Sequence, residues 1–383
     1  MNEFEYANPV KILFGKGKIA KINDEVPAGA RVLVTYGGGS IKKNGVYEQV
    51  MNALPGRFVT EFGGIEANPL YETLMKAAEV VRREKIDFIL AVGGGSVLDG
   101  TKFIAAAAKY EGGDPWDIFT KQAPVQGLVP FGTVLTLPAT GSEMNPVAVI
   151  SRKSTTEKLP SPLGYPKFSV IDPETTYSLP PRQVSNGIVD AFAHVLEQYL
   201  TYPVNAPLTD RIAESILQTL VEIAPACMED PPNYEARASL CWCATLALNG
   251  LIAQGVPQDW STHMIGHEMT ALTGLDHGQT LAIAYPGTLA ACRKGKRAKL
   301  LQYGERIWGI REGSEEQRIN KAIDATRTFF EGAGVKSYFK DYNLKPELAH
   351  TIAKRLDDRG WNHLGERQDI GPEKVEEILA YSF

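Results

Sequence analysis

The stretch IDFILAVGGGSVLDGTKFIAAAAKY, residues 86–110, reads as a strand, a glycine turn and a helix in succession. Residues 86–92 are apolar almost without alternation, the pattern of a strand covered on both faces in a parallel sheet. Gly93, Gly94, Gly95 and Ser96 follow, and 97–110 has helical character. Glycines let backbone N–H groups approach an anion, and the start of a helix adds partial positive charge. The turn therefore suits a pyrophosphate. It departs from G-x-G-x-x-G because position 98 is Leu, so a plain tight turn is the rival reading. Asp99, in the first helical turn, complements the helix dipole on spacing alone.

Working outward, the first half keeps alternating. Residues 31–36 (RVLVTY) lead into a second turn, Gly37, Gly38, Gly39 and Ser40. A helix is expected over 44–51, a strand over 57–62, and a helix over 69–85 with Asn68 as N-cap and Pro69 in its first turn. Strands are expected at 132–137 and 168–171. Alternation of this kind implies a parallel α/β sheet. Leu179-Pro180-Pro181 interrupts it, since consecutive prolines continue neither helix nor central strand. Beyond lie helical periods at 184–200, 207–226, 234–253, 262–271, 279–293, 315–331, 345–355 and 372–381. The expected fold class is an α/β N-terminal dinucleotide-binding domain with a parallel sheet over 1–179, plus an all-α C-terminal metal-binding domain over 180–383.

With 383 residues the chain is long enough for two cores, and its 44% hydrophobic and 22% charged content is ordinary for a globular enzyme. A net charge of −5, without a dense basic stripe, argues against nucleic acid. The basic segment 293–299 reads as a solvated helix face. No apolar run approaches the roughly 18 residues of a membrane helix, and the acidic start MNEFEYANP is unlike a signal peptide. A cytoplasmic location is expected. The four cysteines, Cys227, Cys241, Cys243 and Cys292, read as buried thiols rather than a disulfide framework.

Four of the six histidines fall in two stretches. Asp190 and His194 are four apart, on one face of the expected helix. His263, His267 and His277 lie in DWSTHMIGHEMTALTGLDHGQT. One carboxylate with two or three imidazoles suits a divalent first-row metal such as zinc or ferrous iron. The residue after His263 is Met, so the zinc-protease H-E-x-x-H is absent. Spacing alone leaves open which of the three later histidines is not a ligand. A metal beside a dinucleotide site reads as metal-assisted hydride transfer.

In the second turn, Ser40, Lys42 and Lys43 stand where an acid often accepts from the adenosine ribose. Its absence favours NADP, with NAD as the alternative. The hydroxyls of Thr136, Thr140 and Ser142 in TLPATGSE could bind a cofactor or cap the turn.

These stretches together resemble the iron-containing (group III) alcohol dehydrogenase family. The likeness is carried by GGGSVLDGTK (93–102), TLPATGSE (136–143), GIVDAFAHVLEQYL (187–200) and THMIGHEMTALTGLDHGQTLAI (262–283). It extends along essentially the whole chain, and YGGGSIKKNGVYEQV (36–50) and KRAKLLQYGERIWGI (296–310) look like its butanol dehydrogenase and NADPH-dependent aldehyde reductase branch. The resemblance implies Asp190, His194, His263 and His277 as ligands of Fe(II) or Zn(II). It implies His267 as a nearby non-ligand facing nicotinamide or substrate. Gly94, Gly95 and Ser96 would hold the pyrophosphate, with Asp99 near the nicotinamide half. Thr136, Thr140 and Ser142 would line the adenine and ribose region, with Lys158 near the ribose. Gly38 and Ser40, around Gly39, would meet the adenosine ribose.

A short-chain aldehyde or primary alcohol is the implied substrate, a homodimer the implied assembly, and dehydroquinate synthase shares the two-domain architecture. A lyase of that type is one rival. It would need a cationic set, and only Arg211 and Arg237 lie between Asp190 and His277. A non-catalytic dinucleotide-binding protein is the other.

Overall fold

The computed structural model describes residues 1–383, which fold as two compact units. One comprises 7–179 with 232–245; the other comprises 1–6, 180–231 and 246–383.

The first unit is built on a six-stranded, wholly parallel sheet. Its strands are β1 (Lys11–Phe14), β2 (Arg31–Tyr36), β3 (Phe58–Phe62), β4 (Phe88–Gly94), β5 (Phe131–Leu137) and β8 (Phe168–Ile171). A separate antiparallel ribbon pairs β6 (Val147–Arg152) with β7 (Glu157–Pro162). Helices α1 (Ile22–Glu25), α2 (Val46–Asn52), α3 (Tyr71–Arg83), α4 (Gly95–Ala107) and α5 (Asp117–Thr120) belong to the same unit, and α8 (Tyr234–Ala247) lies largely within it. The order in the sheet is β1-β8-β5-β4-β2-β3. From β2 the chain steps to β3 on one side and then returns to place β4 on the other. That reversal is a switch point, where open α/β sheets bind ligands beyond the strand ends. Both glycine turns lie there: Gly37 follows β2, and Gly95 opens α4 directly after β4. Val32, Val34, Leu90, Val92, Val134 and Val170 form the buried core of the sheet.

The second unit is helical. It contains α6 (Pro181–Tyr199), α7 (Pro207–Cys227), α9 (Ser261–Thr273), α10 (His277–Ala291), α11 (Arg293–Trp308), α12 (Glu315–Gly332), α13 (Glu347–Asp358) and α14 (Pro372–Ala380). Ile265, Met269, Ile283 and Ala284 of α9 and α10 pack with Ile352, Leu356, Val375 and Ile378. No helix is long and apolar enough to cross a membrane.

Three expectations are corrected. Asn68 is not the cap of α3: the helix begins at Tyr71 after Leu70, and Asn68 Oδ1 accepts from Lys158 Nζ at 2.9 Å instead. The segment 293–299 is not a solvated face. Lys296 and Lys299 are 2% and 5% exposed, because each has found a carboxylate, Asp259 and Asp210 respectively. The helix expected over 234–253 ends at Ala247, short of Gly250, whose φ is +89°. Cys227, Cys241 and Cys243 are buried, Cys292 is partly so, and none of the four is joined in a disulfide.

Candidate functional site

In the helical unit, α6, α9 and α10 each deliver donors to one place. Asp190 and His194 lie one turn apart on α6, His263 sits in the first turn of α9, and His277 opens α10. Asp276 fixes that opening. It forms a capping box with Gln279 and accepts from Arg182 and Asn186, each at 2.7 Å. Asp190 Oδ1 lies 3.7 Å from His194 Nε2, 4.0 Å from His263 Nε2 and 3.6 Å from His277 Nε2. The donor atoms of Asp190, His263 and His277 all fall within 4.8 Å of one another. These gaps exceed a hydrogen bond. They match two ligand bonds of about 2.0–2.2 Å meeting at one divalent ion. One carboxylate and three imidazoles, nearly buried, make a donor set suited to a first-row metal.

His194, with Nε2 3.7 Å from Asp190 Oδ1, stands beside that mutual set rather than in it; His267 is likewise brought to the same place but not into the set. It lies one turn beyond His263 on α9, with its ring centroid 5.0 Å from that of His277 and 6.4 Å from that of His263.

Two neighbours escaped the sequence reading. Glu197 is fully buried, and its Oε1 accepts from the His263 backbone N–H at 3.0 Å and pairs with His263 Nδ1 at 2.9 Å. A partner on Nδ1 leaves Nε2 to face Asp190, the usual arrangement behind a metal-ligating histidine. The signal was present, since Glu197 follows His194 by three residues on the same helix face. Trp260 precedes α9 with φ +63°, a left-handed conformation uncommon for a bulky residue, and its ring centroid lies 5.3 Å from that of His263.

In the sheet unit, the turn after β4 is shaped by close approach. A Cβ on Gly95 would lie 2.4 Å from Thr140 Oγ1, so only glycine fits there. The N–H groups at the start of α4 are thus available to an anion. Thr140 borders the turn from the loop after β5. Asp99 and Ser142, both expected at the cofactor, face each other: Ser142 Oγ donates to Asp99 Oδ1 at 2.5 Å, and the Val149 N–H donates to Asp99 Oδ2 at 2.9 Å. Behind them Lys102 is wholly buried, donating to Ser142 Oγ at 2.8 Å and Val147 O at 2.7 Å. Burial lowers its pKa to about 8, against the pull of Asp99 and Glu143. Burial raises both acids, Asp99 and Glu143. Lys158 is 5% exposed and Thr136 partly exposed.

At the turn after β2, Gly39 has φ +89°, while Gly38 and Ser40 are exposed. A carboxylate does stand close by, supplied by the neighbouring strand. Glu61 accepts from Lys42 Nζ at 2.8 Å, Tyr36 Oη at 3.0 Å and Tyr47 Oη at 2.5 Å. Burial alone would raise its pKa; the three hydrogen bonds outweigh that and leave it below the usual carboxylate range.

Residues 9–173 match the family described as iron-containing alcohol dehydrogenase, and residues 184–383 match the C-terminal part of the Fe-containing alcohol dehydrogenase family. The chain belongs to this family. It is 57% identical over 374 residues to the NADPH-dependent aldehyde reductase YqhD of Escherichia coli K12, covering 97% of each chain. It is 40% identical over 389 residues to the probable NADH-dependent butanol dehydrogenase 1 of Bacillus subtilis, covering 100% of both. Among solved structures, NADH-dependent butanol dehydrogenase A of Thermotoga maritima superposes with a TM-score of 0.95 at 38% identity, over 100% of this chain and 99% of that one.

Proposed function

We propose that this chain interconverts short-chain, butanal-like aldehydes and primary alcohols, with NADPH as its carrier and Fe(II) or Zn(II) held by Asp190, His194, His263 and His277. At the coarser level, it is an NAD(P)H-linked alcohol dehydrogenase or aldehyde reductase that uses a metal and a nicotinamide cofactor, as its kinship with the reductase of Escherichia coli and the butanol dehydrogenase of Bacillus subtilis supports. The observation that carries the finer reading is the gathering of the Asp190, His263 and His277 donor atoms within 4.8 Å of one another.

A divalent ion bound there supplies Lewis-acid stabilisation to negative charge developing on the carbonyl oxygen. The chain's own contribution is orientation and proton handling. Asp276 and Glu197 fix where His277 and His263 point. Backbone N–H groups at the start of α4 bind the cofactor's pyrophosphate, and Gly95 lets Thr140 pack closely against that turn. His267, beside His277, holds and returns the proton that the alkoxide needs, a task suited to an imidazole.

Support for NADPH comes from the charge at the second turn. Glu61 is spent on Lys42 and two tyrosines, so it offers no unbalanced negative charge to repel a 2′-phosphate, and Lys43 is exposed nearby. The homodimer and the cytoplasmic compartment are part of the proposal and rest on kinship with the family. The lyase reading loses ground: Arg237 is buried, donating to Thr176 O at 2.7 Å, rather than available to a polyanion.

The test is oxidation of NADPH and NADH with butanal, on protein stripped of metal and reloaded with Zn²⁺ or Fe²⁺. Metal-dependent turnover with NADPH well ahead is expected. Turnover with NADH alone would sink the cofactor choice, and no turnover with either carrier under any metal would sink the activity.

A further inference from the structure

Lys296 of α11 is 2% exposed, yet it carries a full complement of partners. Its Nζ lies 2.8 Å from Asp259 Oδ2 and 2.9 Å from Glu366 Oε2, and donates to Leu200 O at 2.6 Å. An ammonium removed from water to this degree needs such a set of acceptors. The set it has chosen is informative. Leu200 ends α6, the helix of Asp190 and His194. Asp259 leads into α9: its Oδ1 accepts from the Ser261 N–H at 3.0 Å, and its own N–H donates to Glu197 O at 2.9 Å. Glu197 in turn receives both the backbone N–H and the ring Nδ1 of His263. One ammonium thus ties the C-terminal end of α6 to the segment leading into α9, the helices that carry Asp190 and His263.

We propose that Lys296 is a positioning residue for the metal site, acting through Asp259 and Glu197 on His263. The proposal rests on the metal reading given above. Without the ammonium, Asp259 would leave its buried place beside Leu200, and the first turn of α9 would lose the anchor that presents His263 Nε2 towards Asp190. Positioning partners outside the ligand set commonly govern metal affinity by about 10–100-fold.

The experiment measures Zn²⁺ affinity of the full chain, stripped with a chelator, by competition against a chromogenic indicator, and records the visible spectrum of the Co²⁺-loaded protein. The variants are Lys296→Met, Lys296→Arg and Asp259→Asn. The last is near-isosteric and keeps the acceptor for Ser261, so it breaks the link without emptying the core. Expected is a loss of at least about tenfold in affinity for Lys296→Met and Asp259→Asn, with altered Co²⁺ bands, and substantial recovery in Lys296→Arg. Asp259→Asn that folds, binds Zn²⁺ as the wild type does and keeps its Co²⁺ bands would overturn the proposal, whether or not Lys296→Met folds. Failure of the wild-type chain to bind Zn²⁺ at all would instead overturn the metal reading beneath it.

Discussion

Lys102 and Gly95 show how single residues hold the turn between β4 and α4. Lys102 titrates at about 8 in the fold and near 10.5 when unfolded. Between those values the unfolded chain holds a proton that the folded one does not. Raising the pH through that window therefore favours folding. Wild-type stability should gain on that of Lys102→Met by up to about 1.4 kcal/mol per pH unit from pH 8 to 10. Urea midpoints at pH 8, 9 and 10 would check it, and parallel curves for the two proteins would rule it out. Gly95 works by absence of a side chain. In Gly95→Ala the new Cβ meets Thr140, so the turn must shift. We expect a loss of about 1–3 kcal/mol in stability and about tenfold weaker NADPH binding by fluorescence titration. Binding and stability equal to wild type would mean that the turn does not approach the cofactor.

At the scale of elements, the proposed metal donors depend on how closely α6 and α10 pack. Gly278 permits that closeness, since a Cβ there would lie 2.7 Å from Asn186 O. Gly278→Ala must push the helices apart and stretch the 3.6 Å gap between Asp190 and His277. The variant should lose about 1–3 kcal/mol and bind Zn²⁺ at least tenfold more weakly. Unchanged Zn²⁺ affinity in calorimetry would show that the α6–α10 spacing is not critical.

Elements of this kind were legible where local pattern and tertiary role agree. The strand at 168–171 and the helix from 315 follow directly from apolar spacing. The β6–β7 ribbon did not, because Pro160 and Pro162 within β7 argue against a central strand, and they are tolerated because each strand of a two-stranded ribbon is an edge. Asp190, His194, His263 and His277 stood out by residue type. Lys296 did not, because a lysine reads as solvated until its partners, far away in sequence, are seen beside it. Glu61 was missed for the same reason: it reaches the turn after β2 from the adjacent strand, not from the following residues.

For the molecule as a whole, the two sets of candidate residues belong to different compact units. Removing the metal should therefore abolish aldehyde reduction while leaving NADPH binding within a few-fold of its original affinity. It should also lower the melting temperature, because an ion that binds only the folded state stabilises it by about 2.7 kcal/mol at a hundredfold excess over its dissociation constant. Fluorescence titration and a thermal scan before and after chelation would check both parts. Loss of NADPH binding along with the metal would contradict the separation.

The donors come from α6, α9 and α10, and α14 packs behind the last two. That arrangement has a consequence for biosynthesis. At about 5–20 residues per second, a ribosome releases Asp190 and His194 seconds before His277, and α14 later still. A nascent chain stalled in between carries two or three of the four donors and no closed cage. The full donor set therefore exists only once α10 has emerged, so capture by all four side chains is a late event in translation.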